Sequence, residues 1–293
     1  MSHMLFFGFG YSAKVLARRL GERGWTIGAT ARSDAGRAEI AEHGYRPVNF
    51  SGLSAGDLDG VTHLVISVPP GDEGDPVLLA HGGLLAGQFE WVGYLSTTGV
   101  YGDHGGEWVD EDSALTPNTE RGARRLAAER AWLKTGLPVH LFRLAGIYGP
   151  GRNALQSLRD GSARRIVKQG QVFSRIHVED IATVLEASIA KPHPCRAYNV
   201  CDDEPCPPQD VIAYAAQLLG VAPPPEIPFS EAKLSPMARS FYADSKRVSN
   251  QRIKTELGVN LAYPTYREGL AALLLHPSPP EGAEKVARAA FRA

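Results

Sequence analysis

Within the stretch "PNTERGARRLAAERAW" (117–132), Arg121 and Arg125 stand four residues apart. A guanidinium keeps its proton to a pH above about 12, so neither residue can act as an acid or base near neutrality. Each offers only positive charge and a fork of N–H donors. At a spacing of i and i+4 the two share one helix face. If that face looks into a cleft, the pair suits a carboxylate or a phosphate. If it looks into water, it is a solvated basic surface laced with Glu120 and Glu129. The sequence leaves both readings open.

A second constellation is Gly8-Phe9-Gly10-Tyr11-Ser12-Ala13. It follows the strand-like "MLFFGFG" and opens the helix-like "YSAKVLARRLGERG", which Gly24 closes. In that context Gly8 permits a tight turn and Gly10 lets a pyrophosphate approach the backbone. Ala13 is small enough for close helix–sheet packing, and the helix N-terminus supplies N–H groups to phosphates. The next strand, "WTIGATAR", ends in Arg32 and Ser33, with Asp34 beyond it. A carboxylate at the strand end would take the ribose 2′-hydroxyl of NAD, whereas an arginine suits the 2′-phosphate of NADP. NADP(H) is therefore the expected cofactor, with NAD as the alternative.

The elements that must position these residues alternate. Beyond the first strand–helix–strand unit come "THLVISVPP" and "WVGYLSTTGVYG" as buried strands, with the helix-compatible "PVLLAHGGLLAGQ" between them. A helix over 117–135 and the strand "PVHLFRLAGIYG" follow. Such alternation implies a parallel sheet covered by helices on both faces. After Gly149 shorter polar segments surround the strand-like "AYNVCDDEP" and the helix "PPQDVIAYAAQLLGV". The proline-rich "APPPEIPFSEAKLSP" reads as a surface connection, and the tail from Pro277 as turn residues with a short terminal helix. No internal repeat is visible.

Composition bounds the partners. The chain has 293 residues, 43% hydrophobic and 22% charged, with 31 basic against 32 acidic residues and a net charge of −1. This balance gives no field that would draw nucleic acid or an anionic membrane, so a small molecule is the expected partner. No apolar run approaches the ~20 residues of a membrane span, and no secretory leader is visible. Ser2-His3-Met4 reads as a vector remnant, with the natural start at Met4. Cys195, Cys201 and Cys206 match neither a disulfide framework nor a zinc spacing, so no metal is expected and a reducing cytoplasm is.

"GFGYSA", "YLSTTGVYGD", "FRLAGIYGPG", "SRIHVEDIATVL", "YNVCDDEPCPPQDVIAYAAQLLG" and "SKRVSNQRIKTELG" occur in the order and spacing of one family. From about residue 5 to 270 the chain resembles the extended short-chain dehydrogenase/reductases, the NAD(P)-dependent epimerase/dehydratase family, which acts largely on nucleotide sugars. The resemblance implies an α/β fold: a Rossmann-type doubly wound parallel sheet with a smaller α/β substrate lobe. The NAD(P)-binding Rossmann domain would span 1–150 and be completed by about 175–200. Segments 151–174 and 201–276 would form the substrate lobe, and 277–293 a tail. Homodimers through first-domain helices are common in that family.

Carried over by position, Thr97 falls on the family's catalytic Ser/Thr. Arg121 falls on its acid/base tyrosine and Arg125 on its lysine, so the chain is an atypical member. Arg125 can still take the lysine's hydrogen bonds to the nicotinamide ribose, but Arg121 cannot relay a proton. The only Tyr-x-x-x-Lys in the chain, Tyr242 to Lys246, lies too late to replace the pair. Tyr101, Tyr148 and His177 remain as other proton donors, and Asp180 reads as the start of a helix. The cofactor would line up on Gly8, Gly10, Tyr11, Ser12, Ala13, Arg32, Ser33, Ser67, Val68, Ser96 and Arg125. The substrate would meet Thr98, Tyr148, Arg152, His177, Arg239 and Tyr242. Two functions follow: an NADP(H)-dependent oxidoreductase or epimerase-like enzyme on a sugar-derived or other polar hydroxy/keto metabolite, with an unusual proton donor, or a non-catalytic NAD(P)-binding sensor or assembly protein.

Overall fold

The computed structural model describes residues 2–85 and 89–276. Seven strands form one parallel sheet: β1 (His3–Phe7), β2 (Thr26–Ala31), β3 (Arg46–Asn49), β4 (His63–Ile66), β5 (Trp91–Thr97), β7 (Val139–Leu144) and β11 (Ala197–Val200). Their order is β11-β7-β5-β4-β1-β2-β3, and the direction of winding reverses between β1 and β4. This is the doubly wound Rossmann-type arrangement, whose ligands bind at the carboxyl ends of the strands beside the reversal.

Both faces of the sheet are covered, which is why its strands read as unbroken apolar runs. Met4 and Phe6 turn to one side, where α1 (Tyr11–Glu22) brings Leu16 and Leu20, α2 (Asp34–Glu42) brings Ile40, and α6 (Val178–Ala190) brings Ile181 and Leu185. Leu5 and Phe7 turn to the other side, against Val77 of α3 (Pro76–His81) and Ala128 and Trp132 of α4 (Glu120–Leu133). The period of two along β1 thus assigns successive residues to two separate cores.

The remaining elements lie outside this sheet. They are β6 (Trp108–Val109), β8 (Gly146–Tyr148), α5 (Ala154–Arg159), β9 (Arg165–Val167), β10 (Arg175–His177), α7 (Pro208–Leu219), β12 (Glu226–Pro228), α8 (Pro236–Phe241), β13 (Arg247–Val248), α9 (Gln251–Thr255) and α10 (Tyr266–Leu275). Ile176 of β10 and Ile253 of α9 nevertheless join the core on the α6 side of the sheet. Leu155, Val211, Ala215, Leu270 and Leu273 from α5, α7 and α10 pack into a third core around Tyr148. The strand pairs β8–β10, β9–β12 and β6–β13 are all parallel.

Three sequence expectations change, and a fourth, for Asp180, holds with an added role. "PVHLFRLAGIYG" is two strands, because Ala145 N bonds Val200 O while Gly146 N turns to Ser174 O and leaves the sheet. The helix expected over 76–88 stops at His81, and 86–88 lie outside the described residues, as does the tail 277–293. The proline-rich segment holds β12, whose Glu226–Pro228 pairs with Arg165–Val167. Asp180 does lie in the first turn of α6, but it is fully buried and accepts from Ala262 N at 2.7 Å and Tyr263 N at 3.0 Å. It therefore ties the segment before α10 onto α6. Among the described residues no helix is long and apolar enough to cross a membrane, and all three cysteines are free thiols.

Candidate functional site

A cavity of about 940 Å3 opens at the carboxyl ends of β1, β2, β4, β5 and β7 and runs under α8. One end is built by the turn after β1. Gly8 has φ +90°, and a Cβ there would come within 2.7 Å of Ser67 Oγ. Its N–H donates to Thr30 Oγ1 at 3.2 Å, and Ser67 Oγ donates to the carbonyls of Phe7 and Gly8, so the turn is pinned from two neighbouring strands. Gly10 is the N-cap of α1, with no side chain capping the helix. A Cβ at Gly10 would meet nothing within 4 Å, so the space over the first N–H groups of α1 is open. This fits a dinucleotide pyrophosphate: an uncapped N-terminus of a 12-residue helix beside the winding reversal. Arg32, exposed at the end of β2, lies on the same wall and makes no hydrogen bond or ion pair among the described residues. Nearby Asp34 is occupied by Arg37.

At the other end β5 delivers Ser96, Thr97 and Thr98 to the wall. Thr97 Oγ1 accepts from Gly99 N at 3.2 Å, which caps the short 3-10 turn Thr98–Tyr101 and leaves the Thr97 hydroxyl proton free to donate. Ser96 Oγ is turned away and donates to Glu129 Oε1 at 2.5 Å. Arg125 is fixed: its Nη1 donates to Leu95 O at 3.0 Å and Tyr94 Oη at 3.1 Å. Arg121 lies on the wall one turn earlier, its guanidinium 5.3 Å from the ring centre of Phe241. The helix face that carries both arginines therefore looks into the cavity. Gly122 explains how close this helix can come, since a Cβ there would lie 2.6 Å from Gly99 O. Arg152, after β8, completes the cationic side of the cavity.

Of the expected cofactor residues, Gly8, Gly10, Tyr11, Ser12, Ala13, Arg32, Ser67, Val68, Ser96 and Arg125 line the cavity. Ser33 does not; its Oγ accepts from Gly36 N and caps α2. Four further expectations are corrected, and Tyr148 is corrected as a proton donor only. Tyr101 is fully buried off the wall, donating to Asn199 Oδ1 and accepting from Arg143 Nη1. Tyr148 lends its ring to the wall, but its hydroxyl donates to Thr265 O and lies against Gly269. His177 is buried behind Tyr148 and Tyr263, with burial lowering its pKa to about 4, and is not on the wall. Arg239 stacks on Phe229 and donates to Ala232 O, away from the cavity. Tyr242 packs between Phe173 and Phe229.

Sequence reasoning missed Ser240 and Phe241, which α8 lowers over the cavity, and Lys246 and Asp244 behind them. Lys246 is nearly buried, its ammonium donating to Gly102 O at 2.6 Å and Asp244 Oδ2 at 3.2 Å, and burial lowers its pKa. The one signal for it was the lone Tyr-x-x-x-Lys, where the lysine, not the tyrosine, reaches the site.

No family model matches the chain. Two curated relatives are similar to it: protein YeeZ of Escherichia coli K12, 27% identical over 90% of this chain and 97% of the relative, and a 3-diazoavenalumate denitrifying reductase of Streptomyces, 28% identical over 55% and 58%. Among solved structures, a functionally unknown conserved protein from Silicibacter pomeroyi is 56% identical with a TM-score of 0.89, covering 94% of this chain and 99% of that one. A protein classed as an NAD-dependent epimerase/dehydratase from Methylobacillus flagellatus is 28% identical with a TM-score of 0.70, over 94% and 98%. The dTDP-glucose 4,6-dehydratase of Bacillus anthracis, solved with NAD, shares the fold at a TM-score of 0.73 and 17% identity, over 94% and 96%. The chain thus belongs to one family with the Silicibacter protein, and its fold is that of the NAD-dependent epimerase/dehydratases of the short-chain dehydrogenase/reductase superfamily.

Proposed function

We propose that the protein is an NADP(H)-dependent oxidoreductase or epimerase-like enzyme acting on a polar hydroxy or keto metabolite. The observation that carries this reading is that one cavity joins the open N-terminus of α1 to the free hydroxyl proton of Thr97. The likeness to NAD-dependent epimerase/dehydratases and to a reductase supports it. A bound nicotinamide would accept or deliver hydride at the substrate carbon. The protein's own part is then to hold the oxygen on that carbon: Thr97, already accepting from Gly99 N, donates its hydroxyl proton to it. Arg121 adds positive charge beside this oxygen without exchanging a proton. Proton transfer falls to water or to the ammonium of Lys246, since the phenols of Tyr101 and Tyr148 are turned away.

The preference for NADP(H) rests on Arg32, which lies exposed on the cavity wall after β2 with no acidic partner among the described residues. Titration with NADP+, NADPH, NAD+ and NADH, repeated with Arg32→Ala, tests it. Binding of NADP(H) is expected to weaken by about ten- to a hundredfold in the variant, with NAD(H) unchanged. No binding of any of the four would sink the reading.

Both phenols on the wall, Tyr11 and Tyr148, donate to backbone carbonyls, of Pro150 and Thr265, which favours a second reading: a cofactor-binding sensor without turnover. It requires that oxidised and reduced cofactor bind with different affinity, because a ligand shifts an equilibrium only by its differential affinity. Equal affinities would leave it without a switch.

A further inference from the structure

The charges on the cavity wall do not balance. Its two acids are both occupied by lysines, Glu39 by Lys14 at 2.5 Å and Asp244 by Lys246 at 3.2 Å. Arg125 is held by Tyr94 and Leu95, and Arg175 by the carbonyls of Phe173 and Cys206. Arg32, which the cofactor reading gives to a 2′-phosphate, is unpaired among the described residues, and so are Arg121 and Arg152, to which that reading gives no anion. Among the described residues neither guanidinium makes a hydrogen bond or meets a carboxylate; Arg121 has only the face of Phe241. Acids were within reach of the same helix, since Arg124 pairs with Glu120 at 3.0 Å and also with Asp72. Burial first, then repulsion from Arg125 and Arg152, lowers the pKa of Arg121. The two arginines therefore face a shared space at a mutual electrostatic cost.

Their placement is fixed by backbone. Gly122 packs on the carbonyl of Gly99, which seats the first turn of α4 on the turn that Thr97 caps, so Arg121 stands beside the reacting end of the cavity. Arg152 is held by paired backbone hydrogen bonds with Gly149 at 3.0 and 3.1 Å, and the adjoining Pro150 O accepts from Tyr11 Oη at 2.9 Å.

We propose that Arg121 and Arg152 form an anion subsite, and that the substrate carries a carboxylate or phosphate close to the hydroxyl or keto carbon on which Thr97 acts. This deepens the oxidoreductase reading and rests on it for the role of Thr97. A neutral sugar would leave two like charges facing one space with no counter-charge between them. An anionic group cancels the repulsion and accepts charge-assisted hydrogen bonds from both sides. The substrate class is then a small hydroxy or keto acid, or a short phosphorylated carbonyl compound.

The test is calorimetric titration of the NADP+-saturated protein, and separately of the free protein, with sodium oxalate, inorganic phosphate and neutral glycolaldehyde at constant ionic strength. An anion is expected to bind while glycolaldehyde does not, and Arg121→Gln and Arg152→Gln are each expected to weaken that binding at least about tenfold. The control Arg164→Gln, an exposed arginine off the cavity wall, leaves it unchanged. Tighter oxalate assigns a carboxylate substrate, and tighter phosphate a phosphorylated one. The proposal is overturned if neither anion is preferred over glycolaldehyde, if the two variants keep the affinity, or if they lose NADP+ instead of the anion. Both side chains face solvent, so the variants should fold, which circular dichroism checks. Anion binding to the free protein with no dinucleotide binding would retain the subsite and discard the oxidoreductase reading.

Discussion

The hydroxyl of Tyr101 donates to the amide oxygen of Asn199 at 2.7 Å, joining the turn after β5 to the edge strand β11. Arg143 Nη1 donates to the same hydroxyl at 2.9 Å, and Arg143 is paired in turn with Glu129 at 3.0 Å. Burial pushes the Tyr101 phenol up to about 12. A residue that the motif made a candidate proton donor is thus a strut between strands, inside a buried network that reaches the cavity through Ser96.

Tyr101→Phe is expected to lower stability by about 1–3 kcal/mol, because it strips a partner from both Asn199 and Arg143 in a buried setting. Dinucleotide affinity should not change. Urea unfolding and a cofactor titration check the two halves; loss of turnover with stability intact would restore Tyr101 as a catalytic residue.

The two glycines of the first turn should separate fold from binding. Gly8→Ala combines a φ of +90° with a Cβ 2.7 Å from Ser67 Oγ, so about 1–3 kcal/mol of stability is expected to be lost. Gly10→Ala introduces a Cβ into open space, where it costs the fold under about 1 kcal/mol but intrudes where phosphates would approach. Dinucleotide affinity should therefore fall in Gly10→Ala with the unfolding midpoint nearly unmoved.

Much of this was legible in the residues because it is local. The Gly8 to Ala13 turn, the apolar runs of β4, β5 and β7, and the helix from Glu120 follow from short-range pattern. What sequence could not supply is direction at long range. Tyr148 and His177 occur in motif positions, yet the third core formed by α5, α7 and α10 draws the Tyr148 hydroxyl to Thr265, 117 residues away. Likewise Arg239 and Tyr242 are turned off the cavity by Phe229, while their neighbours Ser240 and Phe241 reach it, a difference of one helical step. Asp180 reads as a helix-start residue until the chain near Ala262 arrives to use its carboxylate.

Glu129→Gln is expected to cost about 3–5 kcal/mol. Its side chain and that of Arg143 are 2% and 5% exposed, and removing one charge leaves the other buried without compensation. The double variant Glu129→Gln with Arg143→Met should recover part of the loss. Equal destabilisation in single and double variants, measured by thermal unfolding, would contradict the pair's coupling.

A pH dependence follows from Asp202. Its carboxyl is 1% exposed and lies near Asp203 and Arg175, and burial pushes its pKa up to about 8. In the unfolded chain an aspartate loses its proton near pH 4, so between about 4 and 8 the folded state holds the extra proton. The stability this contributes is present below pH 4 and lost as pH rises through about 8. His140 and His177 act in the opposite sense: burial lowers both to about 4, so they withdraw stability as pH falls below about 6.5. At pH 6.5 the two histidines are still half protonated in the unfolded chain, so the proton they lose up to about pH 7.5 offsets part, but not all, of the effect of Asp202. Between pH 6.5 and 8, stability is therefore expected to fall by roughly 1–2 kcal/mol. Asp202→Asn keeps an acceptor for Glu204 N and should flatten that fall, making the variant more stable than the parent at pH 8. Urea unfolding at pH 6.5 and 8 decides it: identical slopes in the two proteins would mean that the Asp202 carboxyl is ionised in the folded state.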